Sequence, residues 1–575
     1  MSPKAYYLGI DVGTGSARAV VIDSEGAFLA QDVEPIKLHN PRHDIYEQST
    51  TDIWRAICKS SRVAVASAKV EPSDIKGVGF DATCSLVVLD KEGNPASVDE
   101  DSNFENNDLN LILWADHRAV DQAARINATQ HKVLNYVGRT ISPEMEIPKS
   151  LWLKENLPKE KWDNIGHLMD LPDFLTFRAT GSRARSTCSL TCKCSYLPQG
   201  VGNGWDASYF EAIGLGELKD EKWERLGGIE GDNGQVLTAG DPVGDGLTQQ
   251  AAEELGLLPG TPVGSAVIDA YAGAIATTGA TANAEERARM LESLDKSLLE
   301  QGSSRVAIAC GTSSCHIAMA PKDIYVDGVW GPYRSVMVPN MWHAEGGQSS
   351  TGQLIDHTLN THPAINEARK LADAENMNVY AFLNRHLELM QQERGFKHLE
   401  DLTKQMHIYP DYHGNRSPLA DPTLRGMIIG VSLDHSINDL ATRYLATLQA
   451  ISCQTRHIIE SLNAQGYKIN TLCLSGGLCK NPIFVKLHAD ITRCRVILPD
   501  RIDAAVVIGA AFLGARAAEP STSLWEIMVR LGRAGQVVEP TGDNELEEIN
   551  ERRYRIFHEM LKDQKKYRAI MEGSC

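Results

Sequence analysis

Asp11 stands just before the small-residue turn of Leu8-Gly-Ile-Asp-Val-Gly-Thr-Gly-Ser-Ala-Arg-Ala-Val-Val-Ile-Asp23, and a carboxylate beside a flexible backbone suits phosphate chemistry. Backbone N–H groups at Gly13, Thr14, Gly15 and Ser16 can cradle a phosphate, and Asp11 is placed to hold Mg²⁺ through water. Residues 6–10 and 19–22 are rich in β-branched and aromatic side chains, so the turn is predicted at the tip of a β-hairpin. That excludes a Rossmann fingerprint, which needs a helix after its glycines, and a P-loop, which needs Lys followed by Ser or Thr. A plain Gly-rich surface hairpin would carry the same residues.

A second strand-turn-strand pattern, Arg305-Val-Ala-Ile-Ala-Cys-Gly-Thr-Ser-Ser-Cys-His-Ile-Ala-Met319, sets Gly311, Thr312 and Ser313 as the first sets its own turn. Two such hairpins opening two halves predict an internally duplicated fold. A third glycine site, Thr471-Leu-Cys-Leu-Ser-Gly-Gly-Leu-Cys-Lys-Asn481-Pro, follows a buried strand and precedes a helical run over 483–492. Gly476 and Gly477 would let a flat ring lie against the backbone, although a simple strand-to-helix turn has the same composition. Between these motifs, Gly264-Ser-Ala-Val-Ile-Asp-Ala-Tyr-Ala-Gly-Ala-Ile carries Asp269 from a buried strand into the first turn of a small-residue helix. A helix N-terminus favours the ionised carboxylate, so Asp269 is expected to have a low pKa and be ready to accept a proton; an N-cap is the alternative role.

Several elements must position these groups. Residues 51–69 read as an amphipathic helix and 75–80 as a strand running into the polar corner Asp81-Ala-Thr-Cys-Ser-Leu-Val-Val-Leu-Asp90. Residues 94–109 are acidic and Asn-rich, as in an exposed loop. A charged passage over 281–304 marks a domain boundary, which divides the chain into 1–290, 303–517 and a helical C-terminal extension, 518–575. With 575 residues, at least two cores are expected. The 42% hydrophobic and 23% charged content is that of a folded globular protein, and a net charge of −18 disfavours nucleic acid and anionic membranes as partners. Twelve scattered cysteines suggest buried thiols in a reducing compartment. Cys188, Cys192 and Cys194 lack zinc-site spacing and a nearby His, so packing within a strand is expected there. The N-terminus leaves no room for a signal peptide, and the most apolar stretch, 263–280, is interrupted by Asp269, so a cytoplasmic location is predicted.

In this order, over residues 6–516, the motifs resemble those of the FGGY carbohydrate kinase family. The resemblance implies an α/β fold: the duplicated ribonuclease-H-like core shared with actin, hexokinase and the heat-shock ATPases, in two domains about an interdomain cleft. Asp11-Val-Gly-Thr-Gly-Ser-Ala-Arg18 looks like the family's first phosphate motif, Cys310-Gly-Thr-Ser-Ser its second, and Leu474-Ser-Gly-Gly-Leu-Cys-Lys-Asn481 its adenosine motif. ATP and Mg²⁺ are thereby implied, with Gly13, Thr14, Gly15, Ser16, Arg18, Gly311, Thr312 and Ser313 at the phosphates, Gly476, Gly477 and Asn481 at the adenosine, and Asp11 at the metal. The family's catalytic Asp falls on Asp269.

Family members that phosphorylate glycerol carry an Arg-Glu pair where this chain has Cys84-Ser85, which disfavours glycerol. The corner holding Asp81, Thr83 and Cys84, the run Arg185-Ser-Thr-Cys-Ser-Leu-Thr-Cys-Lys193, and Trp342-His-Ala-Glu-Gly-Gly-Gln-Ser-Ser-Thr-Gly352 resemble the ribulokinase branch, in which Lys193 and Glu345 would line a ketopentose pocket. Glu345 is expected in a Gly-rich turn ahead of a helix. Ala270 replaces the Gln or Asn of glycerol and xylulose kinases, and the helix Lys149-Ser-Leu-Trp-Leu-Lys-Glu-Asn156 follows the family signature only in part. The implied reaction moves the γ-phosphoryl group of ATP to the terminal hydroxyl of a ketopentose. D-ribulose is the first choice from likeness to the eukaryotic FGGY-domain proteins; L-ribulose, xylulose, a pentitol, or an inactive nucleotide-binding regulator are the alternatives. The implied partners are the sugar and ATP, without nucleic acid or membrane, and a homodimer is left open.

Overall fold

The computed structural model describes residues 5–573 and is built on two sheets of one plan. The first has the strand order Val263–Ile268, Ile75–Ala82, Tyr6–Val12, Ser16–Asp23, Phe28–Pro35. Its first three strands are parallel and its last three form an antiparallel meander. In the second sheet Arg495–Pro499, Thr471–Ser475, Arg305–Cys310, Ser314–Ala320 and Trp342–Gln348 repeat that order and those directions. Trp330–Arg334 and Ala534–Val538 extend its two edges. The expected duplication is therefore present strand for strand. The inner strands read as near-continuous apolar runs because both of their faces are covered.

The halves exchange helices. Asp269–Thr278 leaves the first sheet and packs against Arg305–Cys310 and Thr471–Ser475, while Ala505–Ala518 returns to lie across Tyr6–Val12, Ile75–Ala82 and Val263–Ile268. The two helices also pack on each other. So close an approach needs missing side chains: a Cβ on Gly79 would lie 1.9 Å from the Ala510 carbonyl oxygen, and one on Gly509 would lie 1.9 Å from that of Ala272.

Two expectations are corrected. The segment read as a helical extension contributes an edge strand, Ala534–Val538, and its helix Leu524–Leu531 is mostly buried; only Asn544–Met571 is the long charged helix expected. Cys188 and Cys192 lie in a short buried helix, Thr187–Lys193, with Cys194 just after it. Ser186 caps that helix by accepting from the Ser189 N–H at 3.1 Å, a local signal that outweighs the β-branched residues around it. Among the described residues every cysteine is unpaired, and no helix is long and apolar enough to cross a membrane.

Candidate active site

Three carboxylates gather where the first sheet ends. Asp11 and Asp81 are register partners on neighbouring parallel strands, and Val267, two residues before Asp269, is the partner of Asp81 on the next. Asp11 is 4% exposed and Asp81 0%, and neither Asp81 oxygen has a hydrogen-bond partner among the described residues. A buried carboxylate without donors needs a reason, and proximity to a cation site is one. Burial, and then the neighbouring charge of Asp11, hold the Asp81 carboxyl well above the usual range. Burial also raises Asp11, against the pull of Arg18, whose guanidinium Nη1 lies 3.7 Å away.

Asp269 opens its helix as expected, and its Oδ1 accepts from the Ala270 N–H at 2.7 Å. The expected low pKa is not found. Burial and then the charge of Asp11 push the Asp269 carboxyl up to about 7, outweighing the helix N-terminus.

The two Gly-Thr turns are built alike. Gly13 N–H donates to Ser16 O at 3.0 Å and Gly311 N–H to Ser313 O at 2.9 Å, so these two amides close the turns rather than face a ligand. The N–H groups of Thr14 and Gly15 have no protein acceptor among the described residues, and the turn is held from behind. Gln48 Nε2 donates to Thr14 O at 2.9 Å and Trp114 Nε1 to Thr14 Oγ1 at 3.0 Å. In the second turn, Gly311 O and Thr312 O accept from Gly352 N and Thr351 N at 3.0 and 2.9 Å, which docks the helix Gly352–Asn360 against it.

A cavity of about 560 Å³ opens beside the second turn, lined in part by Gly311, Thr312, Gly477, Asn481, Tyr380 and Asn384. Its size fits a nucleoside. Gly476, at φ +94°, passes so close to Cys310 that a Cβ would sit 2.5 Å from the Cys310 oxygen, which brings the adenosine-type turn against the phosphate-type turn. Asn481 borders the cavity, yet its side chain is committed: Oδ1 caps the helix Pro482–Thr492 and accepts from Asn384 Nδ2 at 2.9 Å, while Nδ2 donates to Tyr444 Oη at 2.6 Å.

The other expected contacts come from the corner after Asp81, the helix Thr187–Lys193 and the strand Trp342–Gln348. Thr83 and Cys84 are buried at the corner after Asp81, Thr83 N–H donating to Val12 O at 3.0 Å. Lys193 ends its helix at 3% side-chain exposure, with Nζ 3.8 Å from Glu345 Oε1. Burial opposes charge on Lys193, but Glu345, together with the nearby Cys84, Tyr333 and Cys192, outweighs it and holds the ammonium well above its ordinary pKa. Glu345 lies inside the strand Trp342–Gln348 rather than in a turn; pairing with Ser314–Ala320 draws the Gly346-Gly347 stretch into the sheet. Tyr271 Oη and Glu345 Oε2 are 3.5 Å apart, so the helix carrying Asp269 touches the strand carrying Glu345.

Sequence reasoning missed Trp114, Trp330, Tyr380, Asn384, Arg416 and Tyr444. Tyr380, Asn384 and Tyr444 belong to helices whose patterns explain them as packing. Arg416 had a signal in the Gly-Asn-Arg-Ser-Pro turn composition of its loop.

Comparison with known proteins agrees with this fold. Residues 6–276 match the N-terminal domain and residues 306–518 the C-terminal domain of the FGGY family of carbohydrate kinases. A human FGGY carbohydrate kinase domain-containing protein is 45% identical over 574 residues, covering 99% of this chain and 98% of that protein. A D-ribulokinase of Saccharomyces cerevisiae is 44% identical over 521 residues, covering 90% of this chain and 72% of its own length. A xylulose kinase from Rhodospirillum rubrum has the same fold, with a TM-score of 0.73 at 18% identity over 98% of this chain and 99% of its own. With both domain matches in place, the chain belongs to the FGGY family of carbohydrate kinases.

Proposed function

We propose that this carbohydrate kinase transfers the γ-phosphoryl group of ATP to the terminal hydroxyl of a ketopentose, D-ribulose before L-ribulose, xylulose or a pentitol. The observation that carries the reading is Asp269, half-buried with a carboxyl pKa of about 7, within reach of the charges of Asp11, beside the first Gly-Thr turn, and of Lys193 and Glu345. The preference for D-ribulose rests on the yeast D-ribulokinase at 44% identity.

In this reading the nucleoside occupies the 560 Å³ cavity, against Gly477 and beside Asn384 and Tyr444. The free amides of Thr14 and Gly15, with Arg18, receive phosphate oxygens, and the turn at Thr312 and Ser313 closes from the second sheet. Asp11 is the residue to hold Mg²⁺, and the unpartnered oxygens of Asp81 beside it fit a cation site. Bound there, Mg²⁺ would neutralise phosphate charge. Asp269 orients the acceptor hydroxyl and takes its proton as the loose phosphoryl transfer proceeds, a task suited to a carboxylate that titrates near neutrality. Glu345 and Lys193 fix hydroxyls remote from the reacting one, and a site built for hydroxyls rejects acceptors lacking them. The free cysteines support a reducing, cytoplasmic setting.

The test is ADP release with MgATP against D-ribulose, L-ribulose, D-xylulose, ribitol, L-arabinitol and glycerol, with Asp269→Asn as the blank. Turnover strongest with D-ribulose and lost in the variant is expected. No sugar-dependent turnover, with ATP still bound, would favour the regulatory alternative.

A further inference from the structure

Arg416 is a charged side chain beside Glu345 to which the proposed reaction assigns no task. Arg416 lies in the loop after the strand His407–Tyr409, and the loop is fastened on several sides. Asn415 Nδ2 donates to Asp411 Oδ2 at 2.9 Å, Leu419 N to Asn415 Oδ1 at 2.9 Å, and Ser417 Oγ to Gly328 O at 2.9 Å. From this support the Arg416 side chain, 17% exposed, runs across the strand Trp342–Gln348. Gly347 is its seat: a Cβ there would stand 3.0 Å from Arg416 Cδ and 3.1 Å from Nε. Beyond the seat, Nη2 donates to Glu345 Oε1 at 2.8 Å, Nη1 to Cys315 Sγ at 3.6 Å, and the guanidinium carbon is 4.3 Å from the centre of the Trp330 ring.

Lys193 makes the same two contacts from the other half of the molecule. Its Nζ is 3.8 Å from the same Glu345 oxygen and 4.8 Å from the centre of the same indole. Two cations thus share one carboxylate oxygen and one ring, with the charges of Glu144 and Asp269 also within reach of them. Arg416 Nε is also enclosed and has no acceptor among the described residues, so the guanidinium carries an unused N–H. Because Nη2 and Lys193 both take Oε1, Glu345 Oε2 keeps only the long contact to Tyr271 Oη and retains capacity to accept from a ligand.

We propose that Arg416 positions the acceptor sugar, holding Glu345 by Oε1 so that Oε2 receives the sugar's hydroxyls and offering its own Nε–H to a hydroxyl or carbonyl oxygen of the ketopentose. This rests on the ketopentose reading above. The planar fork matters as much as the charge, since a Lys ammonium carries all its donors on one nitrogen and cannot donate from the Nε position over Gly347 while also reaching Glu345.

The test measures KM for the ketopentose and for ATP, together with kcat, in Arg416→Gln, Arg416→Lys and Arg416→Ala, using the sugar that the wild type turns over best. Losing a charge-assisted contact should raise the sugar KM about 10- to 100-fold, with KM for ATP within about twofold of the wild type. Arg416→Lys should fail to restore the sugar KM, and added guanidinium should partly rescue Arg416→Ala. Arg416→Gln keeps most of the stem over Gly347, so a folded variant is available if the shorter one unfolds. An unchanged sugar KM in Arg416→Gln would overturn the proposal, and so would equal rises in both KM values without guanidinium rescue, which mark a purely structural role. A wild type that phosphorylates no ketopentose would overturn the parent reading and this one with it, whereas wild-type turnover beside an indifferent variant removes Arg416 alone.

Discussion

Asp11 and Asp81 are register partners on adjacent parallel strands, so two carboxylates are fixed on one buried stretch of sheet, and both oxygens of Asp81 lack a donor among the described residues. Burial and then the charge of Asp11 oppose ionisation of Asp81.

Asp81→Asn should therefore stabilise the metal-free, nucleotide-free protein. The folded-state pKa of Asp81 is raised, so the folded state binds this proton more tightly than the unfolded chain does. Wild-type stability then falls as pH rises above the unfolded carboxyl value of about 4. A gain of about 1–3 kcal/mol is expected at about pH 8, shrinking to nothing below about pH 4, where the carboxyl is neutral in both states. Thermal melts of both proteins across pH check it; a gain that persists at low pH would assign the effect to packing.

Asp269→Asn should keep ATP affinity while kcat falls by about 10²- to 10⁴-fold, the usual contribution of a positioned base. With Asp269 titrating near 7 and active only when ionised, wild-type kcat/KM should rise with pH through that region. A rate profile flat from about pH 5 to 8 would count against the assignment.

On the nucleotide side, Asn384→Leu breaks the link from Asn384 to Asn481 and Tyr444 and removes an amide from the cavity wall. KM for ATP should rise about tenfold, the value of a lost buried hydrogen bond, with the sugar KM unchanged. Steady-state kinetics with each substrate varied separately distinguishes this from general damage.

Gly79→Ala and Gly15→Ala should part company. A Cβ at Gly79 meets the Ala510 oxygen at 1.9 Å, so the helix Ala505–Ala518 has to lift from the sheet, at a cost of about 3–5 kcal/mol. A Cβ at Gly15 meets nothing within 4 Å, and that variant should fold normally while binding ATP more weakly. Denaturant unfolding and nucleotide titration of the pair give both readouts.

The sequence alone determined a great deal here. The hairpins carrying Asp11 and Gly311, and the strand-to-helix passage that delivers Asp269, were legible because alternating apolar residues, glycines and a small-residue helix are local signals. Even the duplication followed from two similar hairpins. What remained hidden depends on groups brought together from distant parts of the chain. The pKa of Asp269 was misread because its helix N-terminus is local, whereas the burial and the Asp11 charge that outweigh it come from packing. Glu345 reads as a turn residue until the neighbouring strand draws its glycines into the sheet, and Arg416 is an ordinary loop arginine until Gly347 gives it a seat beside Glu345. Local propensity is written in consecutive residues, but desolvation, ion pairing and close backbone approach exist only between elements, so the tertiary structure decided them.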